Sequence, residues 1–417
     1  MSAAEAVERL HAIAAALFFI CCAYQLFYLF VPLFVRHKPH RPARLQRYAI
    51  LIAARNEEAV LPHLLASIAA QDYPAELVST FVIADNCTDN TAAVARAAGA
   101  TVYERRNARL IGKGYALAEL LEHVPDRFDA YLIFDADNLL APDYITQIDR
   151  TFADGCDIAT GCRCAKNYGE NWISAGYGLW FLREARQLSD PRMRLGLSTM
   201  VSGTGFGFAR QVLARCGGWH YFLLSEDTEF SVDRLLAGER IGYCPDAVFY
   251  DEQPTGFAQS WRQRMRWAKG YLQVFRRHGG RLLRGIFTLP PRAAFSCFDL
   301  CMSILPAMLL NLVTIAGDLA LLLVALIAGQ PLWPVVTAAL SALPGAYLSF
   351  AVLGLHTTIT AWHRITTTPA RKLGYILTFP LFMMTYIPIS LAALFCRVEW
   401  KPITHKAALP LEQIGRK

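Results

Sequence analysis

The sequence predicts an α/β domain with a mostly parallel sheet, joined to apolar α-helices that are long enough to cross a membrane. Short apolar runs alternate with helical patterns between residues 48 and 122, as in an open parallel sheet. Hydrophobic residues make up 54% of the 417 residues, and the excess is concentrated in residues 11–35 and 294–396. We therefore divide the chain into an amino-terminal membrane helix with a basic linker (1–47), an α/β domain (48–275), and interfacial and transmembrane helices with a basic tail (276–417).

Strands of the α/β domain are predicted where short apolar runs end in polar residues. The first run is followed by Arg55-Asn-Glu-Glu58, which we expect to open a helix. The second run ends at Asp85, and Asp89 is a suitable N-cap for the helix after it. The third run precedes Lys113, which lies just before another helix. The predicted strands span 48–54, 80–84, 101–104 and 131–134, and the predicted helices span 55–70, 91–98 and 116–122.

Two aspartates one residue apart, Asp135 and Asp137, follow the apolar run 131–134. Because side chains alternate along a strand with period 2, we expect both carboxylates to lie on the same side. Two hard oxygen donors suit a Mg or Mn ion that carries the phosphates of a nucleotide. Ligands of open parallel sheets bind at the carboxyl ends of the strands, where Asp85 would also lie. The alternative is a solvated loop that contains two acids.

Three later stretches each allow two interpretations. Residues 202–207 have the glycines of a phosphate loop, but no lysine follows in Walker spacing. Residues 225–229 place three carboxylates ahead of a helix, where one could act as a general base; the alternative is a capping box with Ser225 as the cap. Residues 261–267 alternate basic and aromatic side chains, a pattern that is also typical of a helix on a membrane surface.

Several of these residues form an ordered series of motifs. Asp85, Asp135-Ala-Asp137, Glu226-Asp227 and Gln263-Arg-Met-Arg-Trp267 resemble the D, DxD, (T/G)(E/D)D and QxxRW series of membrane-embedded family 2 glycosyltransferases. These enzymes include cellulose, chitin, hyaluronan and poly-N-acetylglucosamine synthases and NodC-like enzymes. Residues 53–57 and 112–113 are similar to the PxRNE and GK elements of the same family, so the resemblance covers roughly residues 48–275. The chain departs from the family at Ala84, where a paired Asp is common, and at Ser225, where Thr or Gly is usual.

The resemblance implies a GT-A fold, a UDP-sugar donor (UDP-N-acetylglucosamine or UDP-glucose) and a Mg or Mn ion. It implies that Asp227 is the catalytic base with Glu226 beside it, and that Asp135 and Asp137 hold the metal. The residues that it assigns to the donor nucleotide are Arg55, Glu57, Asp85, Lys113, Asp135 and Arg266. The residues that we assign to the acceptor are Gly203, Thr204, Gln263 and Trp267.

The chemistry of an inverting sugar transfer agrees with these roles. The acceptor hydroxyl loses its proton as it attacks the anomeric carbon, and a positioned carboxylate can take that proton. The leaving UDP develops negative charge, which a divalent cation and Arg266 would stabilise.

The amino-terminal segment is predicted to span a membrane with the α/β domain in the cytoplasm. Residues 10–35 are long enough for a membrane helix, and basic residues are concentrated between 36 and 47. The net charge of +7 belongs largely to such clusters, which favour anionic lipid, so we expect no nucleic-acid partner. The eleven cysteines show no zinc spacing and are predicted to be reduced thiols.

The last third contains two predicted spans, 293–329 and 333–359, and an interfacial segment, 373–395. Residues 398–405 resemble the cytoplasmic gating loop that follows an interfacial helix in cellulose synthase. Asp299, Asp318 and His356 are ionisable groups at membrane depth that could line an acceptor path.

We therefore expect a multi-pass enzyme of the plasma membrane that extends a polysaccharide or glycosylates a lipid-linked acceptor. One alternative is the transfer of a single sugar to polyprenyl phosphate. The alternative from another class is a non-catalytic transporter or nucleotide-sugar sensor. A transporter would be expected to contain an inverted repeat, and none is evident in the sequence.

Overall fold

The computed structural model describes residues 2–304, 306–398 and 410–414, and its centre is a twisted mixed sheet. Within the described residues the sheet has eight strands in the order β3-β2-β1-β4-β7-β6-β8-β5. Strands β1 to β4 are mutually parallel, whereas β7 and β5 are antiparallel to their neighbours. The strands are β1 (Tyr48–Ala54), β2 (Val78–Asp85), β3 (Thr101–Arg105), β4 (Ala130–Asp135), β5 (Leu139–Leu140), β6 (Ile158–Ala165), β7 (Phe206–Ala209) and β8 (Ile241–Asp251).

Helices cover both faces of the sheet, because successive residues of each buried strand point to opposite faces. Ile50 and Ile52 of β1 pack with α3 and α6 on one face. Leu51 packs with α5, α9 and α10 on the other face. The helices of this domain are α3 (Leu61–Ala69), α4 (Thr91–Ala97), α5 (Lys113–His123), α6 (Tyr144–Ala153), α7 (Trp172–Arg183), α8 (Asp190–Leu195), α9 (Arg210–Cys216) and α10 (Glu226–Leu236).

The four strands predicted from the first half of the domain are confirmed, but two local predictions are wrong. The helix expected from residue 55 begins at Leu61, because Asn56 takes a positive φ of 58° and its side-chain oxygen accepts a hydrogen bond from the Thr88 N–H at 2.7 Å. The N-cap of α4 is Asn90 rather than Asp89. The Asp89 carboxylate instead bonds the Thr91 N–H at 3.0 Å and the Glu58 N–H at 3.2 Å.

Four helical stretches among the described residues are long and apolar enough to cross a membrane: 3–34, 291–327, 332–360 and 369–395. The last one is buried more than the others, because Phe379 and Phe382 pack against the α/β domain. The interfacial position of residues 373–395 stays a prediction, and residues 399–405 of the gating-loop resemblance lie outside the described residues. The helices are α1 (Ala3–Cys22), α2 (Tyr24–Phe34), α12 (Pro291–Ile304), α13 (Pro306–Ile327), α14 (Leu332–Leu340), α15 (Leu343–Thr360), α16 (Pro369–Met384) and α17 (Tyr386–Phe395).

One long helix, α11 (Phe257–Thr288), continues across the domain boundary that the sequence predicted at residue 275. It packs on α10 of the sheet domain and on α12 and α17 of the apolar helices. The α/β domain and the apolar third are therefore joined by a continuous helix rather than by a linker, and the proposed division at residue 275 stays a prediction.

A buried ion pair ties the apolar helices to the α/β domain. Arg192 of α8 donates two hydrogen bonds of 2.7 Å to the carboxylate of Asp299 on α12. The hydroxyls of Tyr24 and Tyr28 on α2 donate to the same carboxylate at 2.6 and 2.7 Å. Asp299 is 1% exposed, so the prediction that it lines an acceptor path is wrong. Asp318 likewise contacts another helix, through His11 at 2.9 Å.

We predict that Asp299→Ala destabilises the detergent-solubilised protein by about 3–5 kcal/mol, because it leaves the Arg192 guanidinium buried without its counter-charge. The double variant Arg192→Met with Asp299→Leu should lose less stability than the single one, because no charge is left unpaired. Unfolding followed by tryptophan fluorescence measures both. A double variant that is less stable than Asp299→Ala would contradict this account.

Candidate active site

The carboxyl edge of the parallel strands gathers the residues that the resemblance assigned to the donor. Ala54 of β1 is opposite Ala84 of β2, and Ala53 is opposite Asp135 of β4. Arg55, Asp85 and Asp135 therefore follow or end three adjacent strands at one edge, as the sequence predicted.

Asp85 is held in a fixed orientation by a partner that the sequence did not reveal. The Arg105 guanidinium, at the end of the neighbouring strand β3, donates to the Asp85 carboxylate at 2.7 Å and to Glu119 at 2.7 Å. Both Asp85 and Arg105 are buried. Attraction to Asp85 and Glu119 raises the pKa of Arg105 above its usual value even though burial, the largest effect, lowers it. Asp85 thus offers a rigid acceptor at the sheet edge, next to the partly exposed loop with Arg55 and Glu57.

Lys113 is surrounded by acidic side chains of the site. It is the first residue of α5, and its ammonium group bonds the Asp135 carboxylate and, at 2.7 Å, the carbonyl oxygen of Gly203. Burial lowers the pKa of Lys113, but attraction to Asp135, Glu226 and Asp227 raises it above its usual value. Lys113 therefore lies among three acidic side chains from two distant parts of the chain.

The two aspartates of the DxD motif do not share one side of a strand, so that prediction is wrong. Strand β4 ends at Asp135, and the following turn breaks the alternation. The Asp135 side chain is 36% exposed and faces Lys113. Asp137 is 3% exposed, and its carboxylate accepts hydrogen bonds from the Asn138 side chain at 3.3 Å and from the Glu252 N–H at 3.1 Å.

The donor set still fits a divalent cation of the hard type. Within the described residues no group of three or more His, Cys, Asp or Glu side chains is arranged around a common point. Mg²⁺ is usually held by one or two protein carboxylates, with the remaining positions filled by water and substrate phosphates. The partly exposed Asp135 and the adjacent Asp137 match that pattern, because each carboxylate oxygen can accept more than one bond.

A hydrogen-bond network that the sequence analysis missed holds the turn of the DxD motif in place. The Asn138 amide donates to Asp251 at 2.7 Å, and Arg163 donates to Asp251 at 2.9 Å and to the carbonyl oxygen of Ser202 at 3.1 Å. Arg163 and Asp251 lie on the neighbouring strands β6 and β8. No local pattern indicates this pair, because 88 residues separate its members.

The loop that carries Gly203 and Thr204 belongs to this network. The Thr204 hydroxyl accepts a hydrogen bond from the Asp135 N–H at 2.9 Å and donates to Asn138. Thr204 is 0% exposed, so its side chain positions Asp135 and is not available to an acceptor, which corrects our assignment of that side chain. Gly203 contributes its carbonyl oxygen to Lys113.

The candidate base lies at the start of α10, and the capping-box alternative does not hold. Ser225 occupies the N-cap position but makes no side-chain cap bond. Glu229 instead accepts hydrogen bonds from the N–H groups of Phe222 and Leu223, at 3.1 and 3.2 Å, and pairs with Arg277 at 2.9 Å. Glu229 therefore holds the preceding loop, which leaves Glu226 and Asp227 as the acids of the site.

Glu226 and Asp227 are both partly exposed, and the site raises the pKa of each carboxyl. Burial and the neighbouring Asp227 charge raise the pKa of Glu226 to about 7, against the attraction of Lys113 and Arg266. Burial raises the pKa of Asp227, while the Thr228 N–H, Arg266 and Lys113 oppose the rise. A carboxylate with a raised pKa is a stronger proton acceptor, as a general base requires.

The Gln263–Trp267 motif lies on α11, where its side chains have different surroundings. Arg266 donates to the carbonyl oxygen of Leu224 at 2.9 Å, just before α10. Trp267 packs edge-on against Tyr177 and Phe181 of α7, with ring centroids 5.7 and 6.1 Å apart.

Arg264, in the same motif, has a role that the sequence analysis did not assign. It is 0% exposed and donates to the carbonyl oxygen of Phe382 at 3.0 Å and to the Thr385 hydroxyl at 2.7 Å. Its guanidinium also lies 4.3 Å from the ring centroid of Phe382. Arg264 therefore fastens α16 to the motif helix.

A cleft of about 520 Å³ lies at the opposite edge of the sheet, among Asp126, Asp129, Asp157 and Arg210. It contains none of the predicted site residues. Asp129 precedes β4, so this cleft is at the amino ends of the strands, away from the site described above.

Comparison with known proteins agrees with the geometry. The sequence pattern of the family described as "Glycosyltransferase like family 2" matches residues 45–270. The chain belongs to glycosyltransferase family 2. A beta-monoglucosyldiacylglycerol synthase of Synechocystis sp. is 28% identical to this glycosyltransferase over 232 residues, which are 54% of this chain and 48% of the relative. An N-acetylglucosaminyltransferase of Rhizobium meliloti is 23% identical over 391 residues, 88% of this chain and 85% of the relative.

This glycosyltransferase thus spans about half the length of the cyanobacterial relative. Its fold is similar to the solved structure of the mannosyltransferase PcManGT from Pyrobaculum calidifontis in complex with GDP-Man and Mn²⁺. The TM-score is 0.60 with 19% sequence identity, over 93% of this chain and 99% of that one. The predicted fold class, a GT-A-type domain with apolar helices, is confirmed.

We predict that Lys113→Met moves the acid limb of the pH–rate profile to higher pH. The base must be ionised, and the Lys113 charge lowers the pKa of both Glu226 and Asp227. Without that charge both pKa values rise, so activity is lost at a higher pH as the medium is acidified. The profile of kcat against pH measures the shift. Arg210→Met removes an exposed cation at the opposite edge and should leave the limb in place; an unshifted limb in Lys113→Met would refute the assignment.

Proposed function

We propose that this glycosyltransferase transfers a hexose or N-acetylhexosamine from a UDP-sugar to a membrane-associated acceptor, with inversion at the anomeric carbon. The observation that carries the proposal is the convergence of four groups on one point. Lys113 lies between Asp135 at the end of β4 and the two acids Glu226 and Asp227 at the start of α10. A diphosphate beside the lysine would thus have a carboxylate base on its far side.

The donor nucleotide would lie along the edge formed by β1, β2 and β4. Asp85, held by Arg105, is a fixed acceptor for an N–H group of the base. Arg55 and Glu57 on the neighbouring loop would complete the nucleotide site, and Lys113 would contact the diphosphate. UDP is favoured over GDP by the resemblance to synthases that use UDP-sugars.

Asp135 and Asp137 would hold a Mg or Mn ion at the donor diphosphate. When bound, the cation would neutralise the charge that develops on the leaving UDP. Arg266 of α11 bonds the carbonyl oxygen of Leu224, just before α10. It would add a second positive charge beside the same leaving group.

Asp227 would take the proton from the acceptor hydroxyl, with Glu226 beside it. The two residues are adjacent at the start of a helix, so their side chains point about 100° apart and only one can face the donor sugar. The shorter aspartate holds its carboxylate more rigidly, which favours a proton transfer that depends on geometry.

The acceptor would approach along α11, with Gln263 and Trp267 on the wall of its path. The named relatives include N-acetylglucosaminyltransferases and an enzyme that makes a glucosyldiacylglycerol, which supports a lipid or saccharide acceptor.

Four apolar stretches support a multi-pass protein of the plasma membrane, and the positive-inside rule supports a cytoplasmic site. Polyprenyl phosphate is the second candidate acceptor. Membership of the family argues against a transporter or sensor without catalysis.

We expect membranes that contain the protein to turn over UDP-N-acetylglucosamine or UDP-glucose when each labelled donor is supplied in turn. Asp227→Asn should lower kcat by about 10²-fold or more while UDP binding survives, because the base is lost but the nucleotide site is not. Glu226→Gln should lower kcat by a smaller factor. Turnover of GDP-mannose alone would exclude a UDP donor, and an active Asp227→Asn with an inactive Glu226→Gln would move the base to Glu226.

We expect Asp137→Asn to abolish both sugar transfer and the binding of Mn²⁺ in the presence of UDP, because it removes one of two carboxylates available to the ion. Calorimetry of Mn²⁺ binding provides a measurement that does not depend on turnover. Asp126→Asn, at an exposed position on the other edge of the sheet, is the matched control. Full wild-type turnover in EDTA would contradict a metal requirement.

A further inference from the structure

Helix α7 does not end at Arg183 but continues through a π-helical turn, Glu184–Ser189, into α8. Such turns are rare and occur mostly at functional sites. This one begins three residues after Phe181, whose ring lies 3.9 Å from the Arg163 guanidinium of the network beneath the DxD motif. The irregular turn is therefore close to the donor site.

One face of α7 and its π-helical turn is directed at α11. Tyr177, Phe181 and Glu184 are spaced by four and three residues, so they share this face. Tyr177 and Phe181 both pack against Trp267. On α11 the residue one turn after Trp267 is Tyr271, which therefore lies level with Glu184.

Helix α11 contacts α7 through the ring of Trp267 and also packs on α10, so Glu184 and Asp227 belong to two neighbours of the same helix. Burial, followed by the charges of Glu184 and Asp227, raises the pKa of Tyr271. Burial also raises the pKa of Glu184 itself; Arg183 and Arg163 oppose the rise and Asp227 adds to it. These directions agree with the positions of Glu184, Asp227 and Tyr271 on α7, α10 and α11.

The Glu184 carboxylate has surroundings unlike those of Asp251 and Glu229. Among the residues that the structure describes, its carboxylate makes no ion pair and no hydrogen bond, although the side chain is only partly exposed. Asp251 and Glu229 each have an arginine partner. The Glu184 oxygens are not among the buried atoms that lack a partner, so they reach solvent and are open to a ligand that donates hydrogen bonds.

We propose that Glu184 binds the hydroxyl groups of a neutral acceptor, a sugar or a glycerol unit, and so positions the attacking hydroxyl for Asp227. This inference rests on the proposed function and deepens it. An ionised carboxylate only accepts hydrogen bonds, and its two oxygens can take two adjacent hydroxyls at once. A phosphate acceptor would instead bring negative charge beside Glu184, Glu226 and Asp227, where like charges repel.

The test uses the full-length protein in nanodiscs with its UDP-sugar donor and three separate acceptors: dioleoylglycerol, a chito-oligosaccharide and undecaprenyl phosphate. Glu184→Gln should raise the KM for the neutral acceptor by about tenfold or more, the effect of weakening charge-assisted hydrogen bonds. The KM for the UDP-sugar should change by less than about twofold, because the carboxylate does not contact the donor. Glu184→Asp, which keeps the charge, should recover part of the acceptor affinity.

The control is Glu170→Gln, which changes an exposed glutamate just before the same helix and should behave as wild type. A wild-type acceptor KM in Glu184→Gln would overturn the inference, and so would undecaprenyl phosphate as the preferred acceptor of the wild-type enzyme. An equal rise in both KM values with a lower Tm would assign Glu184 a structural role and would also overturn it. If the wild-type protein turned over no UDP-sugar with any acceptor, the proposed function would fail before Glu184 was tested.

Discussion

The site depends on the balance of charge around one lysine. Lys113 is drawn to Asp135 from the parallel half of the sheet and to Glu226 and Asp227 from the start of α10. Three carboxylates this close would repel one another without a cation, and their pKa values would rise until some were protonated. The lysine therefore allows an acid at the end of β4 and two acids at the start of α10 to lie close together.

The second constraint is the contact between the motif helix and the apolar helices. Arg264 is buried and bonds the end of α16, while Trp267, one turn further along α11, packs on α7. Arg192 and Asp299 form a comparable link between α8 and α12. A movement of α16 would therefore be passed to the motif on α11. The helix that carries the family motif serves both as part of the site and as the joint between the two regions.

The sequence predicted the sheet well because its inner strands are short apolar runs with polar ends, and burial on both faces requires that pattern. The errors occur where a side chain bonds a distant backbone group. Asn56 bonds Thr88 and holds a turn where a helix was expected. Asp137 bonds the Glu252 N–H after the strand has ended, so the period-2 rule no longer applies. Thr204 is buried against Asp135, although its neighbours are the glycines of an open loop.

The sequence by itself determined the family, the carboxylates of the motifs and the apolar stretches, because these depend on residue type, order and local composition. Only the tertiary structure decided which of the charged groups have partners. Asp85 is paired with Arg105 and Asp251 with Arg163, across 20 and 88 residues, while Glu184 has no such partner among the described residues. Local patterns cannot show such pairs, because the free energy of a buried charge depends on what the rest of the fold places beside it.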